Sequence, residues 1–278
     1  MARARAILCL VLVALATLPF IPLQWACNRL HWRIGHFIPV WWHRALLWAL
    51  DVRVRQIGPP MDGRPLLIAA NHVSWLDIPV IGSLQPLSFI SKAEVGTWPG
   101  VSTLANLART LYVDRARRSD TGKVNAEIAE RLADGDAIVL FPEGTTGYGT
   151  RLLPLRSALL GAVREAILKS GADHVFVQPL AIVYSRVGGL PMGWAGRALV
   201  AWPGDVELGP SVWGVMGAGG IDVEVYWGAP IASTAASDRK LLARRLEQDL
   251  ARLLAAGCSG RPVKPAAPMG PVEDPVID

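Results

Sequence analysis

The chain divides into short apolar runs and longer segments in which apolar residues recur at helical spacing. The short runs are rich in Val, Ile and Leu and have the length of strands, whereas each longer segment is followed closely by a glycine, as helix ends often are. The predicted strands are Leu66–Ala70, Leu87–Ser91, Thr110–Val113, Ala137–Phe141, Val175–Tyr184, Ala198–Trp202 and Ile221–Trp227. The predicted helices are Ser119–Ala133, Arg156–Ser170 and Ser237–Ala256. This alternation predicts an α/β fold, with a mixed, partly parallel sheet covered by helices.

The boundaries of this α/β domain are marked by changes in composition. Gly58-Pro59-Pro60 precedes the first predicted strand, and residues 258–278 contain five prolines and no apolar period. We therefore predict a domain over 58–257, followed by a disordered Pro-rich tail. The glycine-rich stretch Gly214–Gly220 does not lead from a strand into a helix, so it is predicted to be a loop.

The N-terminal segment is far more apolar than the rest of the chain. Ala6–Leu23 is almost wholly apolar, and as a helix its 18 residues would span about 27 Å, close to the hydrocarbon thickness of a bilayer. Pro19 and Pro22 are expected to break or kink the last turns, which argues against a straight crossing. A cleaved signal peptide is the competing interpretation, but no clean small-x-small cleavage site follows.

The next stretch, Trp25–Trp48, interleaves aromatic and basic residues. Its tryptophans alternate with arginines and histidines, and this combination is typical of the headgroup layer of a membrane. An ordinary amphipathic core helix is the alternative. Because basic residues flank the apolar run on both sides, we expect a re-entrant or surface-lying helix pair with both flanks on the cytoplasmic side. Residues 1–57 are thus predicted to be a membrane-anchoring helical segment.

Charge distribution supports a membrane partner over nucleic acid. Hydrophobic residues make up 51% of the chain and the net charge is +5. Residues 1–57 hold seven arginines against a single aspartate, whereas the remaining 221 residues hold 21 basic and 22 acidic side chains. A basic excess confined to an apolar segment favours an anionic membrane and not nucleic acid. The cysteines Cys9, Cys27 and Cys258 have no metal-site spacing, so neither a disulfide framework nor a metal site is expected.

Candidate chemistry begins directly after the predicted strand Leu66–Ala70. Here the chain has Asn-His-Val-Ser-Trp-Leu-Asp, in which His72 and Asp77 can meet across a tight turn or the first turn of a helix. A carboxylate bound to one imidazole nitrogen fixes the tautomer and makes the other nitrogen a general base. The alternative is a histidine that only caps the backbone at a strand end. No Gly-x-Ser-x-Gly elbow, Walker loop, His-Glu-x-x-His or dinucleotide fingerprint is present.

A second candidate block follows the predicted strand Ala137–Phe141. Phe-Pro-Glu-Gly-Thr-Thr places Glu143, Gly144 and Thr145 at the carboxyl-terminal edge of the sheet, where α/β proteins carry their sites. An ordinary turn is the alternative interpretation, since Gly and Thr are common in turns.

Together these blocks resemble the 1-acyl-glycerol-3-phosphate acyltransferase (PlsC-like) family. That family is similar in having Asn-His-x-Ser-Trp-x-Asp followed about 70 residues later by Phe-Pro-Glu-Gly-Thr. Its second block, Gly-x-x-Phe-x-x-Arg, is matched by Arg109–Arg115, with Arg109 in place of the glycine and Tyr112 in place of the phenylalanine. Its fourth block is matched by Val177–Leu180, and the stretch from Tyr184 to Asp205 resembles the bacterial branch that acylates lyso-ornithine lipid. The resemblance implies a glycerolipid acyltransferase-like fold preceded by a membrane-associated helical pair.

The same resemblance implies a reaction. His72 would deprotonate the free hydroxyl of a lyso-lipid, oriented by Asp77, and the hydroxyl would attack a thioester of acyl carrier protein or CoA. No covalent acyl-enzyme, cofactor or metal is implied. The acceptor would be lyso-ornithine lipid and/or 1-acyl-glycerol-3-phosphate, at the cytoplasmic face of a bacterial inner membrane.

Further residues receive substrate-binding roles from the resemblance. Arg115 would hold the anionic headgroup, and Glu143 would organise Arg115 or the substrate. Backbone groups near Asn71 and Gly144 would stabilise the oxyanion. Thr145, Arg117, Arg118 and Lys92 are weaker candidates for contact with the substrate. Pro179 is assigned a structural role. Two rival classes stay open: a non-catalytic lipid-binding protein on the same scaffold, and a thioesterase or lipase.

Overall fold

The computed structural model describes residues 2–113, 120–204 and 206–261 of the chain. Within these ranges the helices are α1 (Ala2–Arg29), α2 (Ile38–Leu50), α3 (Asp77–Gly82), α4 (Val101–Leu107), α5 (Asp120–Ala133), α6 (Gly161–Ser170), α7 (Trp194–Val200), α8 (Leu208–Ala218) and α9 (Arg239–Cys258). The strands are β1 (Val52–Ile57), β2 (Leu66–Ala70), β3 (Ser88–Lys92), β4 (Leu111–Val113), β5 (Ala137–Leu140), β6 (Val175–Val187), β7 (Leu190–Pro191), β8 (Ile221–Trp227) and β9 (Ile231–Ser233). Short 3-10 helices lie at Arg33–His36, Ala93–Thr97 and Ser157–Leu160.

These strands form one mixed sheet with the order β1-β8-β6-β2-β5-β3-β4, and β7 and β9 also pair with β6. Strands β6, β2, β5, β3 and β4 are parallel, whereas β8 is antiparallel to β6 and parallel to β1. The predicted mixed, partly parallel α/β fold is therefore confirmed. Because β2, β3, β4 and β5 run in the same direction, the loops that follow them meet at one edge of the sheet, the carboxyl-terminal edge.

Helices cover both faces of the sheet, as the fully buried strand β2 requires. On one face Leu66, Ile68 and Ala70 pack with residues of α1, α2 and α3. On the other face Leu67 and Ala69 pack with residues of α5, α6 and α9. Alternate side chains of one strand thus enter two separate cores.

Most sequence-predicted elements are present, with two exceptions between β6 and β8. Ala198–Trp202, predicted as a strand, lies instead at the end of α7 and in the extended segment after it. Short apolar runs cannot be assigned to strand or helix by periodicity alone, and here Gly196 and Val200 are buried as parts of a helix. Gly214–Gly220, predicted as a loop, is largely helical, since α8 continues to Ala218. The last turn of α8 packs against the start of α1, where a Cβ at Gly217 would lie 3.6 Å from that of Ala2, an ordinary van der Waals distance.

The N-terminal helical pair is present, but α1 is longer than the prolines suggested. It runs without interruption through Pro19 and Pro22, so the expected break does not occur. The last turns are held from outside the helix, because Phe20 packs against Trp42 with ring centroids 5.4 Å apart. Gln24 also donates to the carbonyl oxygens of Gly35 and Leu107, at 3.0 and 3.3 Å. These contacts offset the cost of proline in a helix interior.

Both ends of α1 are attached to the α/β domain. Near its start, the Arg5 guanidinium donates to the carbonyl oxygens of Met216 and, at 3.0 Å, Leu50. Near its end, the Asn28 side chain donates to the carbonyl oxygen of Leu107 at 3.0 Å. The helix therefore lies along the domain from end to end.

Between its attached ends, α1 carries a broad exposed apolar surface. Within the described residues, α1 is the helix that is long and apolar enough to cross a membrane. Its most apolar 18 residues have a mean hydropathy of 2.6, and 17% of them are buried. The exposed large apolar side chains of α1 are Ile7, Leu8, Leu10, Val11, Leu15, Leu18, Leu23 and Trp25. The α1–α2 turn and α2 add Leu30, Trp32, Ile34, Phe37, Trp41 and Trp48.

The boundary predicted at residue 57 does not separate this helical pair from the sheet. Strand β1 lies inside the segment 1–57, yet its residues Val52–Ile57 pair in register with Ile221–Tyr226 of β8. The α/β domain thus begins at β1, directly after α2. The predicted tail 258–278 overlaps α9 by one residue, and its part from 262 onward lies outside the described residues.

Candidate active site

The first candidate block leaves the sheet where β2 ends. Asn71 continues the pairing with β6 through its side chain: Nδ2 donates to the Ile182 carbonyl oxygen at 3.1 Å, and Oδ1 accepts from the Ile182 N–H at 2.7 Å. The residue is only 2% exposed. The Asn71 amide thus joins the chain to β6 and fixes the position at which the next residue leaves the sheet, whereas the expected oxyanion role belongs to backbone groups near it.

His72 and Asp77 meet as the spacing predicts. The loop turns so that Asp77 becomes the first residue of α3, and His72 Nδ1 lies 2.8 Å from Asp77 Oδ2. A carboxylate can only accept, so Nδ1 carries the proton and Nε2 is left as the basic nitrogen. The same Oδ2 accepts the N–H groups of Val73 and Ser74 at 2.7 and 2.9 Å. The carboxylate of Asp77 is fully buried, whereas the His72 side chain is 18% exposed.

Tyr184 completes the environment of the Asp77 carboxylate. Its hydroxyl donates to Asp77 Oδ1 at 2.6 Å from the inward face of β6. Burial, and next the neighbouring carboxylate, raise the pKa of Tyr184 well above its usual value, so the hydroxyl remains a donor. The sequence motifs did not point to Tyr184 as a site residue. The available signal was its alternation with Leu180 and Ile182, which places a phenol on an otherwise apolar inward face.

The second block holds His72 from the side of β5. The Phe141 ring stacks on the imidazole, with centroids 4.0 Å apart and planes inclined by 16°. The His72 N–H donates to Glu143 Oε1 at 2.8 Å, and the His72 carbonyl oxygen accepts from the Gly147 N–H at 2.9 Å. One hydrogen bond to the Glu143 side chain and one between main chains therefore join the loops after β2 and β5, and the Phe141 ring covers one face of the imidazole.

Glu143 is a positioning residue in this arrangement. Its second oxygen accepts the N–H of Leu153 at 2.9 Å, and the residue is 4% exposed. Burial raises the pKa of Glu143 to about 7, against the opposing effect of its two backbone hydrogen bonds. The sequence-based expectation was that Glu143 organises Arg115 or the substrate. Both of its oxygens accept backbone N–H groups of the two loops, and Arg115 lies outside the described residues.

Gly144 turns the chain in a left-handed conformation that is needed for a close approach. Its φ is 74°, and a Cβ here would lie 2.9 Å from Nε of Arg156. The exposed Arg156 side chain therefore packs directly against Gly144 at the carboxyl-terminal edge of the sheet. This placement was not predicted, because the sequence pattern assigned Arg156 only to the start of a helix. The N–H groups of Thr145 and Thr146 donate to no backbone carbonyl oxygen within the described residues.

The other predicted site residues are only partly described. Arg115, Arg117 and Arg118 lie in 114–119, outside the described residues. Lys92 ends β3 at the same edge of the sheet and is exposed. Pro179 is buried within β6, where it pairs with Ala69, as its structural assignment predicted. In the described ranges no group of three or more His, Cys, Asp or Glu could hold a metal ion.

Comparison with known proteins identifies relatives of this chain. A family model described as Acyltransferase matches residues 51–183. The lyso-ornithine lipid O-acyltransferase of Brucella abortus is 45% identical over 255 residues, which are 92% of this chain and 95% of that protein. The protein of the same name from Rhizobium meliloti is 39% identical, over 92% of this chain and 88% of that one. A 1-acyl-sn-glycerol-3-phosphate acyltransferase of Neisseria gonorrhoeae is 29% identical over 76% of this chain.

A solved structure supports the fold independently. The crystal structure of the 1-acyl-sn-glycerophosphate (LPA) acyltransferase PlsC from Thermotoga maritima aligns with a TM-score of 0.62, over 91% of this chain and 96% of that one, at 22% sequence identity. The family model spans both candidate blocks, and the similarity to the two bacterial enzymes extends over nearly the whole chain. This chain therefore belongs to the 1-acyl-glycerol-3-phosphate acyltransferase (PlsC-like) family and is an acyltransferase.

Proposed function

We propose that this enzyme transfers a fatty acyl chain from a thioester to the free hydroxyl of a lyso-lipid, with His72 as general base. The acceptor we favour is lyso-ornithine lipid, because the extended similarity is to enzymes of that name; 1-acyl-glycerol-3-phosphate is the second acceptor to test. The observation that carries the mechanism is the 2.8 Å contact between His72 Nδ1 and Asp77, which leaves Nε2 as the base.

The proposed reaction balances without a covalent acyl-enzyme or a cofactor. His72 Nε2 takes the proton of the acceptor hydroxyl while the oxygen attacks the thioester carbonyl carbon. The tetrahedral intermediate collapses, its carbon–sulfur bond breaks, and the departing thiolate takes the proton back from the imidazolium. Asp77 stabilises that imidazolium and prevents rotation of the ring.

Oxyanion stabilisation is assigned to the turn after Glu143. The developing charge on the thioester oxygen needs preorganised donors, and the N–H groups of Thr145 and Thr146 are available for this. The Gly144 N–H is already engaged, because it donates to the Phe141 carbonyl oxygen at 3.1 Å. Of the backbone groups expected near Gly144, we therefore propose that the N–H groups of Thr145 and Thr146 bind the oxyanion.

Basic residues at the carboxyl-terminal edge suit an anionic headgroup. Lys92 pairs with Val113 at the ends of β3 and β4, and Arg115 follows two residues later in the sequence. Arg156 reaches the same edge beside Gly144. A guanidinium can bind either a carboxylate or a phosphate in two hydrogen bonds, so this set is compatible with both acceptors.

The exposed apolar surface of α1 supports attachment to the inner membrane of a bacterium, where lyso-lipids reside. We assign the active site to the cytoplasmic face, because acyl carrier protein and CoA thioesters are cytoplasmic donors and because the arginines of 1–57 suit its anionic lipids. Acyl carrier protein is the donor that we propose to test first.

The test is an acyl-transfer assay with the purified full chain in mixed micelles. Acyl carrier protein or CoA thioesters are combined with each lyso-lipid, and both the diacyl product and free fatty acid are measured. We expect conversion of lyso-ornithine lipid, and a loss of at least about 10²-fold in kcat for His72→Ala. His174→Ala is the matched control, since His174 precedes β6 at the opposite edge of the sheet.

Each contrary outcome has a distinct meaning. Full activity in His72→Ala would overturn the base assignment. Release of fatty acid without any acceptor would indicate a thioesterase, and binding of lyso-lipid without turnover would indicate a non-catalytic lipid-binding protein. Conversion of 1-acyl-glycerol-3-phosphate alone would reassign the acceptor and leave the mechanism intact.

A further inference from the structure

The segment between β6 and β8 carries a second exposed apolar surface. This segment, Leu190–Ala218, comprises β7, α7 and α8, and we call it the β7–α8 insertion. Leu190 and Trp194 are 70% and 73% exposed, and Trp213 is 45% exposed. Along the whole insertion the charged residues are Arg197, Asp205 and Glu207. Single exposed apolar residues are ordinary, but large ones grouped on a segment with so few charges mark an interaction surface.

We propose that the β7–α8 insertion is a second lipid-contacting element, which enters the headgroup layer of the bilayer beside the active site. This inference rests on the proposed membrane attachment through α1 and extends it to a part of the α/β domain. The occupant is the lipid bilayer, for two reasons: the surface continues one that already suits lipid, and tryptophan is the residue that the headgroup layer favours.

The β7–α8 insertion is in direct contact with α1. The last turn of α8 packs against the first turn of α1, where Gly217 faces Ala2 and the Arg5 guanidinium binds the Met216 carbonyl oxygen. Cys9 Sγ lies 3.7 Å from the same oxygen. The exposed large apolar residues near the start of α1 are Ile7, Leu8, Leu10 and Val11, and the exposed Arg3 lies beside Ala2 at the junction itself. A membrane that receives this end of α1 is thus adjacent to α8.

The insertion also contacts the loops that hold the catalytic residues. Trp75, inside the first block, donates its indole N–H to Ser211 of α8 at 3.2 Å. The Trp202 N–H donates to the Val73 carbonyl oxygen at 2.9 Å. Trp194 of α7 stacks with Tyr148, three residues after Thr145, at a centroid distance of 5.7 Å. The insertion therefore packs directly against the loops that carry His72 and Glu143, so a bilayer that receives the insertion lies beside the active site.

The experiment measures the depth of single labelled positions in membranes, so it needs no activity. In a Cys258→Ser background, where Cys9 and Cys27 are buried, an environment-sensitive fluorophore is attached to Leu190→Cys or Trp213→Cys. The full chain is reconstituted in phosphatidylethanolamine–phosphatidylglycerol vesicles. Quenching by aqueous iodide and by spin-labelled lipid is then compared. Two variants with exposed wild-type side chains provide controls: Leu15→Cys on α1, and Leu168→Cys on α6, which covers the opposite face of the sheet.

We expect labels at 190 and 213 to be shielded from iodide several-fold relative to 168, and to be quenched by spin-labelled lipid as the label at 15 is. Equal iodide quenching at 190, 213 and 168, with 15 shielded, would overturn the inference and leave the proposed attachment through α1 standing. Iodide quenching of the label at 15 to the same extent would overturn both this inference and the proposed attachment through α1. Shielding at 190 and 213 without lipid quenching would assign the surface to a second protein copy and would also overturn the proposal.

Discussion

Asp77 accepts four hydrogen bonds, and this explains how a buried carboxylate can serve a histidine. The donors are the His72 imidazole, the N–H groups of Val73 and Ser74, and the Tyr184 hydroxyl. A carboxylate without such donors would be costly to bury and would be driven towards its neutral form. With them, both oxygens are satisfied and the carboxylate is fixed in direction, so it orients His72 through Nδ1 and leaves Nε2 as the proposed base.

Tyr184→Phe tests this arrangement at a single atom. Removing the hydroxyl leaves Asp77 Oδ1 without its donor in a buried site, which is expected to lower the free energy of unfolding by about 1–3 kcal/mol. We expect kcat to fall roughly tenfold with little change in lyso-lipid binding, because Tyr184 acts through Asp77. Steady-state kinetics and thermal unfolding measure the two effects.

Tyr226→Phe is the matched control, since that hydroxyl also donates to a carboxylate, Glu224, at 2.5 Å on β8. Its kcat should stay at the wild-type level. A Tyr184→Phe enzyme with unchanged kcat would remove Tyr184 from the positioning of the base.

Glu143 should make the folded state sensitive to pH near neutrality. Its pKa is raised from 4.5 to about 7, so between these values the folded state holds a proton that the unfolded chain has lost. The free energy of unfolding therefore falls as pH rises from about 4.5 to 7, and levels off above pH 7. Over this range the contribution of Glu143 amounts to about 3 kcal/mol.

Glu143→Gln removes the titrating group and tests this sign. Denaturant unfolding of wild type and variant is compared at several values between pH 4.5 and 8. The stability of the wild type relative to the variant should decrease with pH and then become constant. A constant difference over the whole range would contradict a raised pKa for Glu143.

At the scale of elements, the two blocks could be placed from sequence because parallel strands deliver their loops to one edge. The sequence identified β2 and β5, and their adjacency brings His72 beside Phe141 and Glu143. Tyr184 could not be assigned, since its contact with Asp77 depends on the register of β6 against β2, which no local pattern encodes. The incorrect loop prediction for α8 has the same cause: its glycines have low helix propensity, and its packing against α1 is a long-range contact that the local sequence does not encode.

At the corner between α4 and β4, this chain carries a residue that differs from the pattern of its family. Arg109 stands where the second block of the family has glycine, and its φ is 57°. It is the first residue beyond the C-cap of α4, a position that favours glycine because a side chain is strained there. The side-chain ion pair of Arg109 is weak: its guanidinium lies 3.8 Å from Asp136, and its side chain is 43% exposed.

We therefore expect Arg109→Gly to stabilise the fold by about 1 kcal/mol. The preceding residue is the control: Ala108 has a φ of −79°, so Ala108→Gly should destabilise by about 0.5–1 kcal/mol. Thermal unfolding of both variants gives the comparison. Destabilisation by Arg109→Gly would mean that the ion pair with Asp136 outweighs the backbone strain.

At the scale of the whole molecule, the attachment of α1 at both ends argues against a bilayer crossing. Its first turn is bound to α8 and to the end of α2, and its last turns to the end of α4. A crossing helix would have to place one of these ends on the far side of the membrane, away from the domain that holds it. The helical pair is better suited to lie in one leaflet, with its apolar side chains in lipid and its arginines at the headgroups.

This topology predicts that both ends of α1 are accessible from the cytoplasmic side alone. In a Cys258→Ser background, Arg3→Cys and Arg29→Cys place single thiols at exposed positions at the two ends, and Leu168→Cys marks the α/β domain. A membrane-impermeant maleimide is added to sealed vesicles of inverted or native orientation. We expect all three positions to react in inverted vesicles and none in native ones, because the bonds at both ends of α1 keep its termini beside the domain. Opposite labelling of positions 3 and 29 would require α1 to detach from α8 or α4 in the membrane, and would show that these contacts do not determine how the helix meets lipid.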